Sequence, residues 1–285
     1  MWWKITITVA ILLVCLIWLA LLYGAKRRQS VTRTLQVTME AARTPVTPGA
    51  YDPRELEGLP APVQRYFHTV LQEGQPLVAA VSVEHTGTLN MSDTGEHWKP
   101  FTSRQHVITR RPGFVWDARI RLAPAISVFV NDAYIAGKGI LTAAVAGLVP
   151  VLNQPHSPEL AEGELMRFFA EAAWYPTALL PSQGVIWEVV DDSSAKATLK
   201  DGNTMLSLLF RFTVNGLIES VYVEARGRSV AGTVIPTPWE GRWRNYEQCG
   251  GMRIPLEGEV AWLLPDGPHP YWRGRITTIS YEFAE

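Results

Sequence analysis

"FVWDARIRL", Phe114 to Leu122, decides the fold. Phe114, Trp116, Ala118, Ile120 and Leu122 take alternate positions, with Val115, Asp117, Arg119 and Arg121 between them. Successive strand side chains point to opposite faces, so the stretch reads as a half-buried antiparallel strand. On a helix the same residues would scatter around the whole circumference. Pro112-Gly113 supplies the entering turn, and Ile126–Ala136 reads as the neighbouring strand.

Working outward, period two holds from Leu77 to Asn131. Strands return after Gly184, at Val185–Val190, Ala195–Lys200, Thr204–Thr213 and Leu217–Arg226. Asn215-Gly216 before the last of these is the strongest hairpin signal, since both residues tolerate positive φ. Further strands are expected at Gly241–Gln248, Met252–Leu264 and Tyr271–Phe283. Residues 137–152 are apolar and dotted with glycine, and their pattern fits neither period.

Two amphipathic helices interrupt the strands. The first, near 60–73, places Val63, Tyr66, Phe67, Val70 and Leu71 on one face. The second, near 158–175, starts at Ser157-Pro158-Glu159, a good cap followed by a first-turn proline and a favourable acid. Leu160, Leu165, Phe168, Phe169 and Ala172 form its apolar stripe, and Glu164, Arg167 and Glu171 read as an outer charged face. Pro176 disfavours helical geometry at Tyr175. The sum is a mainly β (α+β) domain over 59–285. About ten antiparallel strands form a curled sheet or half-barrel covered by the two helices.

Ahead of this domain, Ile5 to Gly24 carry no charge. About 20 apolar residues suffice to cross a bilayer core. Trp2, Trp3 and Tyr23 sit where aromatic rings favour the interface, and Lys26, Arg27 and Arg28 follow. A cleaved signal would have a shorter apolar run and a small-residue cleavage site. Residues 1–28 therefore read as a single-pass anchor in a cytoplasmic membrane, with the lipid bilayer as partner through residues 5–24. Lys4 precedes the span while Lys26, Arg27, Arg28 and Arg33 follow it; this modest bias leaves the side of the main domain open. Residues 29–58, with Pro45, Pro48 and Pro53, read as a linker containing a short helix near Leu35–Arg43.

The net charge of −1 hides an asymmetry: residues 1–33 hold Lys4, Lys26, Arg27, Arg28, Arg33 and no acid. The main domain is therefore acidic, which argues against nucleic acid as a partner. The two cysteines, Cys15 and Cys249, lie too differently placed to suggest a disulfide.

Longer strings carry a resemblance. "LPAPVQRYF", "RPGFVWDARI", "AEAAWYPTALLPSQGVIWEVVDDSSAKATL", "PTPWEGRWRNY" and "GEVAWLLPDGPHPYWRGRI" resemble a bacterial family catalogued as a domain of unknown function, over about residues 59–283. That resemblance transfers no catalytic residue. The order of strands and helices is also similar to the lipoprotein-carrier fold. This second resemblance implies an antiparallel half-barrel around a lipid-sized apolar cavity with helices as a lid. It is an analogy of fold.

Chemistry-bearing motifs are sparse. His68, His85, His97, His106, His156 and His269 show no metal-ligand spacing, so no metal is expected. No nucleophile elbow or phosphate loop occurs, and no cofactor is implied. Asp117, Glu171 and Glu240 are the carboxylates that an unfamiliar enzyme site would use. Eleven tryptophans are many for 285 residues, and large aromatics both fill cores and line cavities. The leading expectation is a membrane-anchored binder of a hydrophobic small molecule, lipid or acyl chain, held between sheet and helices. Its expected site comprises Trp116, Trp174, Tyr175, Trp187, Trp239, Glu240 and Arg242, with Tyr175, Glu240 and Arg242 meeting a head group. The alternatives are the carboxylate enzyme and a structural or partner-binding envelope protein with a filled core.

Overall fold

The computed structural model describes residues 2–92, 95–154, 156–230 and 232–284. Among these, six strands precede the second amphipathic helix: β1 Val78–Asn90, β2 Trp98–Ile108, β3 Gly113–Ala123, β4 Ile126–Ile135, β5 Lys138–Val145 and β6 Val149–Gln154. Seven follow it: β7 Ile186–Asp191, β8 Ser194–Asp201, β9 Thr204–Phe212, β10 Ile218–Val230, β11 Thr233–Cys249, β12 Met252–Leu264 and β13 Gly267–Phe283. All join one antiparallel sheet in the order β6-β5-β4-β3-β2-β1-β13-β12-β11-β10-β9-β8-β7. Each half is a meander, and pairing of β1 with β13 joins the halves. The untyped stretch after Ala136 supplies β5 and β6. Its glycines serve turns, as at Gly137 and Gly147, where φ is +85° and +71°.

The strand that decided the fold alternates as its sequence requires. Phe114, Trp116, Ala118 and Ile120 are buried, while Arg119 and Arg121 are exposed. Val115 departs from the pattern and is also buried, because a helix covers that part of the outer face.

The helices are α1 Trp2–Ala42, α2 Ala61–Val70 and α3 Pro158–Ala170. α1 is long and apolar enough to cross a membrane, by length and composition. The helix does not stop at the basic cluster. It runs through the first part of 29–58, read from sequence as a linker, and buries Arg28, Thr32 and Met39 against the sheet. Asn131 on β4 receives Arg28 and donates to Thr32 Oγ1 at 2.8 Å. Val46, Tyr51 and Leu56 of the same stretch join the core.

The sheet wraps around α3, which packs on β4 and β5 from one half and on β9 and β10 from the other. Tyr134 of β4 donates to Asp201 of β8 at 2.7 Å across this curl. Gly139 is needed on β5 because a side chain there would press on the α3 backbone at Leu160–Ala161, about 2.7 Å away. Since α3 is covered from two sides, only Pro158, Glu159 and Glu162 of its first turns stay exposed, and the Glu164–Arg167–Glu171 set is interior. After Ala170 the chain continues in short 3-10 turns, Glu171–Trp174, Pro176–Leu179 and Pro181–Gln183, and re-enters the sheet after Gly184 at φ +92°. The helix ends sooner than Tyr175, and the residue before Pro176 is non-helical, with φ −139° and ψ 65°.

Candidate functional site

A cavity of about 280 Å³ lies inside the curl. Trp116 of β3, Trp239 and Trp243 of β11, Tyr271 and Trp272 of β13, and Trp174 after α3 wall it with aromatic rings. Alternation explains part of the set: Trp239 and Trp243 share the inner face of β11 with Gly241 between them, while adjacent Tyr271 and Trp272 both reach the cavity at an irregularity in the β12–β13 pairing. Leu89, Val130 and Leu141 add aliphatic surface. Burial fades along the strands on that side. Phe114 and Tyr134 are fully buried, whereas Leu89, Val130, Tyr271 and Trp272 are half-buried. The cavity therefore opens past these residues.

Its inner wall is charged. Arg167 donates to Asp132 at 2.6 Å, to Glu171 at 2.7 Å and to Gln105 Oε1 at 3.1 Å. Gln105 Nε2 donates in turn to Glu171 at 2.6 Å. The guanidinium also lies over the rings of Phe114 and Trp116, at 4.7 and 5.0 Å. Burial opposes this charge, but Glu171, Asp132 and Glu164 outweigh it and hold its pKa above the ordinary value. Burial first, then the neighbouring Asp132, pushes the Glu164 carboxyl well above the usual range. His85, stacked 4.9 Å from Trp174, is driven down to about 3 by burial and then by Arg167, so it is neutral.

A second arginine is less satisfied. Arg226 of β10 lies 5.0 Å over Trp239 and borders the cavity. Among the described residues its one hydrogen bond goes to Tyr271 Oη at 3.3 Å, and Glu164 stands 4.0 Å away. Among the described residues the indole N–H groups of Trp116, Trp174 and Trp243 have no acceptor. The cavity wall thus carries spare hydrogen-bond donors on apolar rings.

The residues expected from sequence divide into two groups. Trp116, Trp174 and Trp239 meet at the cavity. Tyr175, Trp187, Glu240 and Arg242 do not. Tyr175 is fully buried and donates to the Phe168 carbonyl at 2.6 Å, bracing the end of α3. Trp187 donates to the Leu179 carbonyl at 3.0 Å and packs on Phe67 and Phe210. Glu240 and Arg242 alternate with Trp239 and so point to the other face, where Glu240 binds Arg242 at 2.8 Å and Arg211 at 3.2 Å. The three carboxylates of the enzyme reading stand apart as well. Asp117 lies beneath α1 on the outer face, with Asn131 at 3.5 Å, and burial raises its carboxyl; Glu171 is bound in the interior and Glu240 faces outward. Asp132, Arg226, Trp243, Tyr271 and Trp272 complete the cavity but carried no spacing signal. Their positions follow only from register and curl.

Solved structures to which the chain is similar include two from bacteria. A LolA superfamily protein from Nitrosomonas europaea aligns with 78% of this chain and 92% of its own, at 10% identity and TM-score 0.35. A putative outer membrane lipoprotein-sorting protein domain from Vibrio parahaemolyticus aligns with 72% of this chain and 86% of its own, at 7% identity and TM-score 0.36. No curated protein matches the chain. The sequence model of one family does match, across residues 57–281, and the chain belongs to that family of unknown function, DUF6920.

Proposed function

We propose that the protein is a membrane-anchored binder of a hydrophobic ligand, one acyl chain or similarly slender lipid segment, held in the aromatic cavity. The single observation that carries this reading is the cavity itself: six aromatic side chains around about 280 Å³. This is at the small end of the ~300–1,000 Å³ of ligand pockets, so it suits one chain and not a whole two-chain lipid. A chain of about eight carbons at ~0.8 kcal/mol per methylene gives about 6 kcal/mol, a Kd on the order of tens of micromolar before polar contacts and ordering costs. Arg226 and the unpaired indole donors suit an acceptor-bearing, anionic end of such a ligand. The anchor is the apolar part of α1, and the buried Asn131–Arg28–Thr32 contact ties the domain to it.

The test is titration of the detergent-solubilised protein with single-chain fatty acids brominated along the chain, read by tryptophan fluorescence. Bromine quenches indoles at contact, and five tryptophans line the cavity. Saturable quenching that Leu141→Trp abolishes is expected, because an added indole would occupy the space. Linear, non-saturable quenching equal in both proteins would reject the reading.

A further inference from the structure

The course of α1 over the sheet indicates a second contact with the bilayer, an inference that rests on the anchor reading above. The helix crosses the outer face diagonally. Met39 lies beside Gly113, 3.3 Å from where a side chain would begin, and Thr32 and Arg28 meet Asn131. Gly24 meets the turn between β5 and β6. A Cβ on Gly24 would overlap the Ala146 carbonyl, and one on Gly147 would overlap the Gly24 carbonyl, so two backbones touch at this corner. Beyond it the helix leaves the sheet. Trp18, Leu21 and Leu22 still border a groove with Ala125 and Phe129, and the preceding apolar residues are exposed. The charge-free run Ile5–Gly24 therefore ends level with the β3–β4 and β5–β6 turns.

At that level the sheet is apolar and exposed. Ile126 is 45% accessible, Val149 60%, Val151 57% and Leu152 37%. The last three belong to β6, an edge strand of the sheet. Soluble proteins protect such edges with charge, yet "VPVLNQ" has none. Exposed cations surround the corner instead: Lys26 and Arg27 from α1, and Arg119 and Arg121 from β3. The nearby acids are engaged, Asp117 by the Arg28 charge and the Thr32 hydroxyl, and Glu84 by Arg104 at 2.9 Å.

We propose that β6 and the β3–β4 turn rest in the head-group region of an anionic bilayer, as a second membrane contact set by α1. The apolar side chains enter the acyl boundary while Lys26, Arg27, Arg119 and Arg121 meet lipid phosphates. The contact also connects to the cavity. Ala118, Val130, Ala143 and Leu152 are consecutive partners across β3, β4, β5 and β6. Val130 lines the cavity and Leu152 lies on the edge, so one apolar row runs from bilayer level to the binding space.

The experiment places single nitroxide labels on the full chain, in a Cys15→Ala, Cys249→Ala background, reconstituted in phosphatidylcholine vesicles with phosphatidylglycerol as minor component. Ile126→Cys and Val151→Cys report the proposed contact. Leu12→Cys reports the span, and Val214→Cys, 95% exposed between β9 and β10, reports water. Collisions with oxygen and with a water-soluble nickel chelate are compared at each site. The proposal expects 126 and 151 to favour oxygen several-fold over 214, approaching 12. Labels at 126 and 151 that match 214 while 12 reads bilayer would overturn the second contact and leave the anchor standing. A label at 12 that reads water would overturn the anchor and this inference with it.

Discussion

Replacing Arg167 by Met is the most informative perturbation of the interior. The thioether chain keeps much of the aliphatic packing and the contact with Phe114 and Trp116. It removes the cation shared by Asp132 at 2.6 Å and Glu171 at 2.7 Å. Breaking a buried ion pair from one side costs about 3–5 kcal/mol, because the remaining charge has no partner. Against a total stability of about 5–15 kcal/mol this is a large fraction. Removing the acids too, as Arg167→Met with Asp132→Asn and Glu171→Gln, should recover most of the loss. Urea denaturation in mild detergent, followed by tryptophan fluorescence, measures all of this. A loss below about 1 kcal/mol, the worth of an exposed pair, or no recovery when both acids are removed as well, would refute the interior ion network.

Further outcomes follow from other contacts. Glu164 has a raised folded-state pKa, so wild-type stability should fall as pH rises from the ordinary carboxylate value through the raised one, and Glu164→Gln should flatten that slope; an unchanged slope in denaturation curves would count against it. Gly24→Val should loosen α1 from the Ala146–Gly147 turn. Hydrogen exchange should then quicken over residues 29–42 while β1 to β4 keep their protection; uniform exchange throughout would contradict that. Glu240→Gln, on the face opposite the cavity, should cost about 1 kcal/mol and leave quenching by brominated chains unchanged. Trp174→Ala should lose about 3–5 kcal/mol, because the ring packs on His85 and Trp243 at 4.9 and 5.1 Å. A variant of wild-type stability would show that the corner is looser than these contacts require.

The alternation in "FVWDARIRL" was enough for a sheet, and Asn215-Gly216 for a hairpin, because both are local rules. The apolar cavity tryptophans Trp116, Trp174 and Trp239 were legible for the same reason, as inward-facing aromatics. Two kinds of information were not local. Arg167 at helical spacing from Glu164 and Glu171 looks like a surface ladder, and only the packing of α3 inside the curled sheet, with β2, β3 and β4 meeting Arg167, turns that face inward. Glu240 and Arg242 sit beside two tryptophans in sequence, yet a period of two sends them to the opposite face. Arg226 and Asp132 come to one cavity because the β1–β13 pairing and the curl bring the two meanders together, which no short motif encodes. Residues 29–42 looked like linker because their buried residues, Thr32 and Met39, are few, and Thr32, like Arg28 just before the stretch, is a polar group that docks on Asn131 and so dilutes the apolar pattern.

The central claim is that the aromatic cavity holds a lipid chain. Native mass spectrometry of the full chain, released from its membrane in mild detergent, tests it most directly. The account predicts a fraction carrying one bound lipid or fatty acid, stripped by solvent extraction and absent from Leu141→Trp. Wild-type protein recovered without any such adduct, or an adduct retained equally by Leu141→Trp, would contradict it.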